Sequence, residues 1–206
     1  MTGPREKDPQ FEDRRQAARD RLQEIEAKTG KDSDARDAFF NAVYEQAEGD
    51  AAAIPWADLA PKEKLIQWLD ANGGLDLSAL DIACGLGDNA EALAAAGYRT
   101  TAFDLAEDAI AWARKRFPDS KVDYRRANLF HPPEEWFGAF DVVNECYTLQ
   151  ALPPEMLEQT AAAIADFVAP DGRLLVYTRT RPDGTFIDGP PWPLEEGSLR
   201  SVSYTH

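Results

Sequence analysis

Cysteine and histidine are scarce in this chain, and both shortages narrow its chemistry. Among 206 residues there are two cysteines, Cys84 and Cys146, and two histidines, His131 and His206. Two cysteines cannot build the disulfide framework of a small secreted domain, so we expect both to be small buried side chains. Neither histidine stands at the end of a predicted strand. We therefore expect neither a histidine base nor a metal centre.

Long apolar runs and excess positive charge are also missing. No stretch approaches the length of a membrane-spanning helix, and the charged N-terminus does not resemble a signal peptide. Lysine and arginine total 22 against 37 aspartates and glutamates, a net charge of −15. That charge opposes non-specific association with nucleic acid or an anionic membrane surface. We expect a cytoplasmic protein with a small-molecule partner and without a nucleic-acid or membrane partner.

One stretch, residues 80–105, combines a strand, a glycine turn, a helix and a second strand. It reads L-D-I-A-C-G-L-G-D-N-A-E-A-L-A-A-A-G-Y-R-T-T-A-F-D-L. The first apolar run ends at Gly85 and Gly87, and helical spacing of apolar residues begins directly afterwards. Because glycine lacks a Cβ, the backbone can bend sharply there and let a ligand reach the N–H groups that open the helix. The turn is therefore a predicted binding surface.

Acidic residues bracket this turn and indicate the kind of ligand. Asp104 ends the second strand, where a carboxylate can accept hydrogen bonds from two ribose hydroxyls. Asp81 inside the first strand and Asp88 at the start of the helix both disfavour a pyrophosphate. Asp81 instead favours an ammonium group, met directly or through water. The pattern predicts an adenosine ligand with a cationic tail, while the glycine spacing alone also allows a nicotinamide dinucleotide.

The run D-I-A-C-G-L-G-D-N at residues 81–89, followed by Asp104, resembles motif I and the next acidic position of class I S-adenosylmethionine-dependent methyltransferases. The resemblance implies a Rossmann-like sheet, S-adenosyl-L-methionine as cofactor and enzymatic methyl transfer. It also implies that Asn128 meets the adenine amino group and that Glu145 faces the methyl-transfer site. The predicted cofactor-binding residues are Trp56, Asp81, Ala83, Gly85, Gly87, Asp104, Leu105, Asn128, Leu129 and Glu145.

Three shorter segments, at residues 54–59, 146–156 and 189–194, resemble the thiopurine and thiol methyltransferases and related bacterial small-molecule enzymes. By that resemblance Trp56 lies near the sulfonium, where an aromatic face attracts a cation. The alternative is a core tryptophan that joins the N-terminal helices. Alignment of the reacting atoms supplies most of the rate in such a transfer. Glu145 and Tyr147 are the candidate catalytic residues where the acceptor must lose a proton.

Alternating strands and helices predict an α/β fold with a doubly wound, mostly parallel sheet. We expect a disordered tail at residues 1–10, an N-terminal helical cover over 11–72 and an S-adenosylmethionine-binding α/β core over 73–206. Within the core, the pattern predicts a helix over 154–168 and a buried parallel fifth strand over 172–180.

Little chain remains after the fifth strand. Class I methyltransferases usually add a helix and an antiparallel pair of strands there, so we expect the C-terminal strands to be shortened or missing. Leu199–Tyr204 is predicted as one extra strand, whose exposed edge would pair with a second chain in a homodimer.

The acceptor is predicted only as an O, N or S atom of a small molecule. Two other hypotheses stay open at this point. The first is a module that binds S-adenosylmethionine for a partner protein without turning it over. The second is a nicotinamide oxidoreductase.

Overall fold

The computed structural model describes residues 10–28, 33–187 and 189–198. The predicted tail, apart from its last residue, and the predicted strand Leu199–Tyr204 lie outside these ranges. Within them the chain forms a parallel sheet flanked by helices, as the alternating pattern predicted.

Five strands make up the sheet, in the order β3-β2-β1-β4-β5, and every neighbouring pair is parallel. The strands are β1 Ser78–Ile82, β2 Arg99–Asp104, β3 Asp123–Arg126, β4 Phe140–Cys146 and β5 Val168–Tyr177. Chain order reverses between β1 and β4, which is the point where open α/β sheets hold their ligands. Two further strands, β6 Thr180–Arg181 and β7 Leu194–Glu195, pair only with each other. Among the described residues the main sheet therefore ends at β5.

Six α-helices surround the sheet: α1 Phe11–Lys28, α2 Ser33–Gln46, α3 Glu63–Ala71, α4 Asp88–Ala95, α5 Glu107–Arg116 and α6 Leu157–Ala165. Alternation along β1 separates the two faces that they cover. Leu80 and Ile82 join one core cluster with Phe103 and Phe167, while Ala79 joins another on the opposite face. This period of two is what a strand buried on both sides requires.

The helices of the predicted cover divide into two groups. Phe39 and Val43 of α2 pack against Leu86 and the start of α5, so α2 lies over the carboxyl end of the sheet. Leu65 and Leu69 of α3 instead pack against Ala79 and β4. Helix α3 thus belongs to the layer that flanks the sheet, although the sequence assigned it to the cover.

Two predictions at β5 were wrong. Helix α6 ends at Ala165, and Val168 already pairs with Phe140, so the segment predicted as the end of a helix begins the strand. Pro170 and Gly172 lie in β5 where its pairing with β4 shifts register. Asp171 between them has a φ of 64°. β5 is also only partly buried, and Val176 is 37% exposed. The reason is position, because an outermost strand has a neighbour on one side only.

Candidate active site at the carboxyl ends of the strands

The glycine turn between β1 and α4 is a sharp elbow with three residues in the left-handed region. Ala83 has a φ of 49°, Gly85 of 54° and Gly87 of 89°. A Cβ on Gly87 would lie 2.4 Å from the hydroxyl of Tyr124, so only glycine fits there. The carboxyl ends of the strands around β1 and β4, where such sheets hold their ligands, are called the crevice below. Gly85 and Gly87 are buried beside it, whereas Ala83 is exposed. The elbow is therefore rigidly shaped, with one small residue open to a ligand.

Asp104 ties the end of β2 to this elbow. Its carboxylate accepts hydrogen bonds from the backbone N–H of Gly85 and of Ala106, both at 3.0 Å. The side chain is 6% exposed, and burial raises its pKa to about 6 in spite of these two donors. Asp104 lies where the sequence predicted it, at the carboxyl end of β2 and beside the glycines.

Asp81 and Asn144 face each other across β1 and β4. Their Cα atoms are register partners, and the Asn144 amide donates to Asp81 Oδ1 at 2.6 Å. Burial raises the pKa of Asp81 to about 7. Asp81 Oδ2 and Asn144 Oδ1 are both buried and accept no hydrogen bond from the described residues. Two oxygens beneath the elbow thus have lone pairs to offer.

Glu145 follows directly in β4 and has no exposed surface. One carboxylate oxygen accepts from the backbone N–H of Leu149 at 3.0 Å, and the other, Oε2, has no hydrogen-bond partner in the part of the chain that the structure describes. Burial raises the pKa of Glu145 to about 7, and the nearby Asp81 carboxylate adds to the effect. The group therefore exchanges a proton near neutral pH.

The charge of Asp88, at the start of α4, is balanced by an arginine. The guanidinium of Arg116 in α5 binds both carboxylate oxygens of Asp88, at 2.7 and 2.8 Å. A paired carboxylate contributes little net charge, so the prediction that Asp88 repels a phosphate was wrong. No local pattern indicates a partner 28 positions away along the chain.

The end of β3 carries the predicted adenine-binding residue. Asn128 donates to the Asp37 carboxylate at 3.1 Å, and its amide oxygen accepts from the N–H of Phe130 at 2.9 Å. Leu129 is buried in the core cluster beneath the sheet. Leu105 stays partly exposed beside Asp104. Asn128 and Leu105 therefore line the crevice, and Leu129 contributes packing under it.

An aromatic roof, formed by Phe40, Tyr44 and Trp56, closes the crevice from above. The indole N–H of Trp56 donates to the Tyr44 hydroxyl at 2.9 Å, and both rings meet edge to face. Phe40 packs edge to face on Trp56 as well. The Tyr44 hydroxyl lies 3.2 Å from where a Cβ on Gly85 would be. Trp56 thus contacts the residue that lies over the elbow, and it takes part in the helical packing that was the alternative. Its place near a sulfonium stays a prediction.

Tyr147 follows β4 and adopts a φ of 70°, which is uncommon for a large side chain. Its backbone N–H donates to the carbonyl of Tyr177 at 2.8 Å, continuing the ladder between β4 and β5. The ring lies beside the ammonium of Lys62, 4.4 Å from the ring centroid. Tyr147 therefore stands at the β4 and β5 side of the strand ends, away from Asp104.

The two cysteines flank the crevice as half-buried thiols. Cys84 precedes the elbow and Cys146 ends β4. Burial raises the pKa of Cys84 well above its ordinary value and that of Cys146 to about 12. Neither thiol is a ready nucleophile near neutral pH.

The described ranges hold no group of three or more His, Cys, Asp or Glu residues placed to bind a metal ion. Among the helices of the described part, none has the length and apolar character needed to cross a bilayer.

The part of the chain that forms this crevice matches a known protein family. A family model described as a methyltransferase domain matches residues 79–172, which run from β1 into β5 and include the elbow and Asp104. Residues 79–172 of the chain therefore form a methyltransferase domain. This confirms the resemblance carried by residues 81–89 and Asp104.

Curated relatives of this methyltransferase domain include two bacterial enzymes named ubiquinone biosynthesis O-methyltransferase. The protein from Aromatoleum aromaticum is 37% identical over 119 residues, covering 56% of this chain and 50% of that protein. The one from Pseudomonas aeruginosa is 33% identical over 130 residues, covering 62% and 54%. The chain thus spans about half the length of the curated relatives it matches.

Solved structures share the fold of the methyltransferase domain at lower identity. A 1,6-didemethyltoxoflavin-N1-methyltransferase from Burkholderia thailandensis has a TM-score of 0.61 at 21% identity, covering 81% of this chain and 73% of that one. A magnesium protoporphyrin IX methyltransferase from Synechocystis has a TM-score of 0.58 at 20% identity, covering 89% and 80%. These likenesses confirm the Rossmann-like methyltransferase fold.

Several residues of the methyltransferase crevice were not among those predicted. Asn144 shares the buried pair with Asp81, Tyr44 lies over the elbow, and Lys62 contacts Tyr147. The position of Asn144, beside Glu145 at a strand end, was a usable signal. Tyr44 belongs to the apolar face of α2, whose pattern favours helix packing, and nothing local marks Lys62.

Proposed function

We propose that this chain is an enzyme that transfers the methyl group of S-adenosylmethionine to an O, N or S atom of a small-molecule acceptor. The observation that carries this proposal is a set of buried oxygens that no donor among residues 10–28, 33–187 and 189–198 meets: Asp81 Oδ2, Asn144 Oδ1 and Glu145 Oε2. A buried acceptor costs free energy until a donor or a positive charge meets it. A ligand with an ammonium group and a sulfonium supplies both.

The residues present fit that cofactor. Asp104 has oxygen lone pairs beyond the two it uses, and a carboxylate at this place would accept from ribose hydroxyls. The amide oxygen of Asn128 accepts one bond and has a second lone pair for an adenine amino group. The elbow at Gly85 and Gly87 would lie against the amino-acid arm. Ala83 and Leu105 would provide apolar contact beside it.

When bound, S-adenosylmethionine supplies an electrophilic methyl group on a sulfonium. The chain's own residues hold and orient the reactants and exclude water, which can account for about 7–11 kcal/mol of a barrier. Trp56 would offer an aromatic face to a cation. Glu145, with a pKa of about 7, can hold a proton at Oε2 and would act as the base for an acceptor that must be deprotonated. Tyr147 is the second candidate for that role.

The relatives bear on the acceptor. Because the curated relatives are named O-methyltransferases, we favour an oxygen atom as the methyl acceptor. We also propose that the protein works in the cytoplasm. The homodimer predicted through Leu199–Tyr204 remains a prediction, because that segment lies outside the described residues.

Two measurements test the proposal. Calorimetry with S-adenosylhomocysteine should show binding, and a coupled assay of S-adenosylhomocysteine release over a panel of phenols, amines and thiols should show turnover. Asp104→Asn is the control that should lose binding while remaining folded. Binding without turnover on any acceptor would favour the non-catalytic module. Binding of NADH without S-adenosylhomocysteine would favour the oxidoreductase and contradict the proposal.

A further inference from the structure

Two cations meet the same aromatic ring at the β4 and β5 side of the crevice. The Lys62 ammonium lies 4.4 Å from the centroid of the Tyr147 ring, and the Arg179 guanidinium carbon lies 5.9 Å from it. Both distances fall within the reach of about 6 Å over which a cation and a ring attract each other. The two charges come from distant parts of the chain, so the fold brings them together.

The charge of this cluster is not cancelled by its neighbours. Lys62 donates to the Asp58 carboxylate, but Arg15 also approaches Asp58, at 3.9 Å. Arg179 makes no ion pair among the described residues, and its side chain is exposed. In a chain with a net charge of −15, a site with more positive than negative groups beside the crevice is unusual.

Lys62 stays charged at this place. Burial is the largest single effect and opposes the charged form, but the hydrogen bond to Asp58 and the charge interactions with Cys146, Asp58 and Tyr147 together outweigh it, so the pKa of Lys62 lies above its ordinary value. Its backbone N–H donates to the Asn89 side chain at 3.0 Å, which fixes the start of α3 against the first turn of α4. The ammonium itself is held between the Asp58 carboxylate and the Tyr147 ring, and the Lys62 side chain is 20% exposed.

We propose that Lys62 and Arg179 bind an anionic group of the methyl acceptor, with the acceptor's ring or chain lying against Tyr147. This rests on the proposed function, and it names the substrate class as a small acid such as an aromatic carboxylate. The cluster lies past β4 and β5, on the other side of β1 from Asp104, so we assign the anion to the acceptor and not to the cofactor's carboxylate.

The test compares matched neutral and anionic ligands. Ligand-observed NMR, with S-adenosylhomocysteine present, would measure the binding of 3,4-dihydroxybenzoate and 3,4-dihydroxybenzamide, which share a ring and differ in charge. The wild type should bind the acid about tenfold more tightly, the size of a hydrogen bond to a charged group. Lys62→Met should abolish that preference, and Arg179→Met should reduce it a few-fold because the exposed guanidinium is screened by solvent.

Matched variants control for charge and folding. Lys64→Met removes an exposed cation from α3, the helix that Lys62 precedes, and Arg173→Met removes one from the middle of β5. Both should keep the preference for the acid, and so should Lys62→Arg. Equal affinity for acid and amide in the wild type, or an equal loss in the control variants, would overturn the proposal.

A further arm separates the two sources of a carboxylate. The affinity for S-adenosylhomocysteine, measured by calorimetry, should be the same in wild type and Lys62→Met. A loss there as large as the loss of acid binding would mean that the cluster holds the cofactor's carboxylate, and the proposal would fail. If the wild type does not bind S-adenosylhomocysteine, the proposed function fails, while the acid and amide comparison without it still reports on the cluster.

Discussion

Replacing Gly87 with alanine should strongly destabilise the fold, for two separable reasons. Gly87 has a φ of 89° and a ψ of 0°, and a left-handed backbone costs an L-residue roughly 1–2 kcal/mol. The new Cβ would also lie 2.4 Å from the hydroxyl and 3.1 Å from Cζ of Tyr124. Tyr124 is buried, and its hydroxyl donates to Glu91 at 2.7 Å, so the ring cannot simply swing away.

The clash adds to the strain. Overpacking a buried site costs typically about 1–3 kcal/mol, so we expect Gly87→Ala to lose about 2–5 kcal/mol in the free energy of unfolding. Urea denaturation followed by circular dichroism measures that loss. Gly138→Ala is the matched control, since Gly138 has a φ of 61° and no atom within 4 Å of its added Cβ. It should lose about 1–2 kcal/mol from backbone strain alone.

Tyr124→Phe provides the rescue experiment. It deletes the hydroxyl that the new methyl group strikes, so the cost of Gly87→Ala measured in a Tyr124→Phe background should approach the cost of Gly138→Ala. A double-mutant cycle gives the coupling directly. If Gly87→Ala proves no more destabilising than Gly138→Ala, the described contact between the elbow and Tyr124 is wrong.

Three further predictions concern ligand, pH and cover. Asp104→Asn should weaken S-adenosylhomocysteine binding by about 1.5–3 kcal/mol, the value of a hydrogen bond to a charged group, and unchanged affinity by calorimetry would refute its role. Asp81 has a folded pKa of about 7 against an ordinary 3.8, so its stabilising contribution is complete below the ordinary value and is lost as the pH rises through 7. Between pH 5 and 8 that loss should be about 2–3 kcal/mol, and urea denaturation should show a smaller fall for Asp81→Asn; an equal fall would count against the raised pKa. Because Tyr44 lies over Gly85, S-adenosylhomocysteine should slow amide hydrogen exchange in α2 but not in α6. Unchanged exchange in α2 would mean that this helix is not part of the ligand-binding site.

Local pattern was enough to predict the elbow and the layers around it. An apolar run, two glycines and helical spacing follow one another along the chain and depend on neighbouring residues only. The strand, turn, helix and second strand of residues 80–105 could therefore be predicted from the sequence. The acid after β2 could be placed for the same reason, since the carboxyl ends of parallel strands meet at one edge. Asp104 therefore lies next to Gly85 as expected.

Contacts between residues that are distant in the sequence could not be predicted from local pattern. The pairing of Asp88 with Arg116 joins two helices, and no local signal distinguishes a paired acid from a free one. The cations around Tyr147 come from the segment before α3 and from the end of β5. At β5 itself, the apolar residues around Val168 fit a helix end as well as a strand start, and only the pairing with Phe140 decides between them.

Because all five strands are parallel, their amino ends form a rim on the opposite side of the sheet from the crevice. A label attached at that rim would lie far from the crevice. Leu75, just before β1, is 90% exposed on that rim. The pKa values of both native thiols are raised by burial, so maleimide should react much faster with a Leu75→Cys variant than with Cys84 or Cys146. A fluorophore or a solid support attached there would leave the crevice accessible, which gives a ready format for screening candidate acceptors.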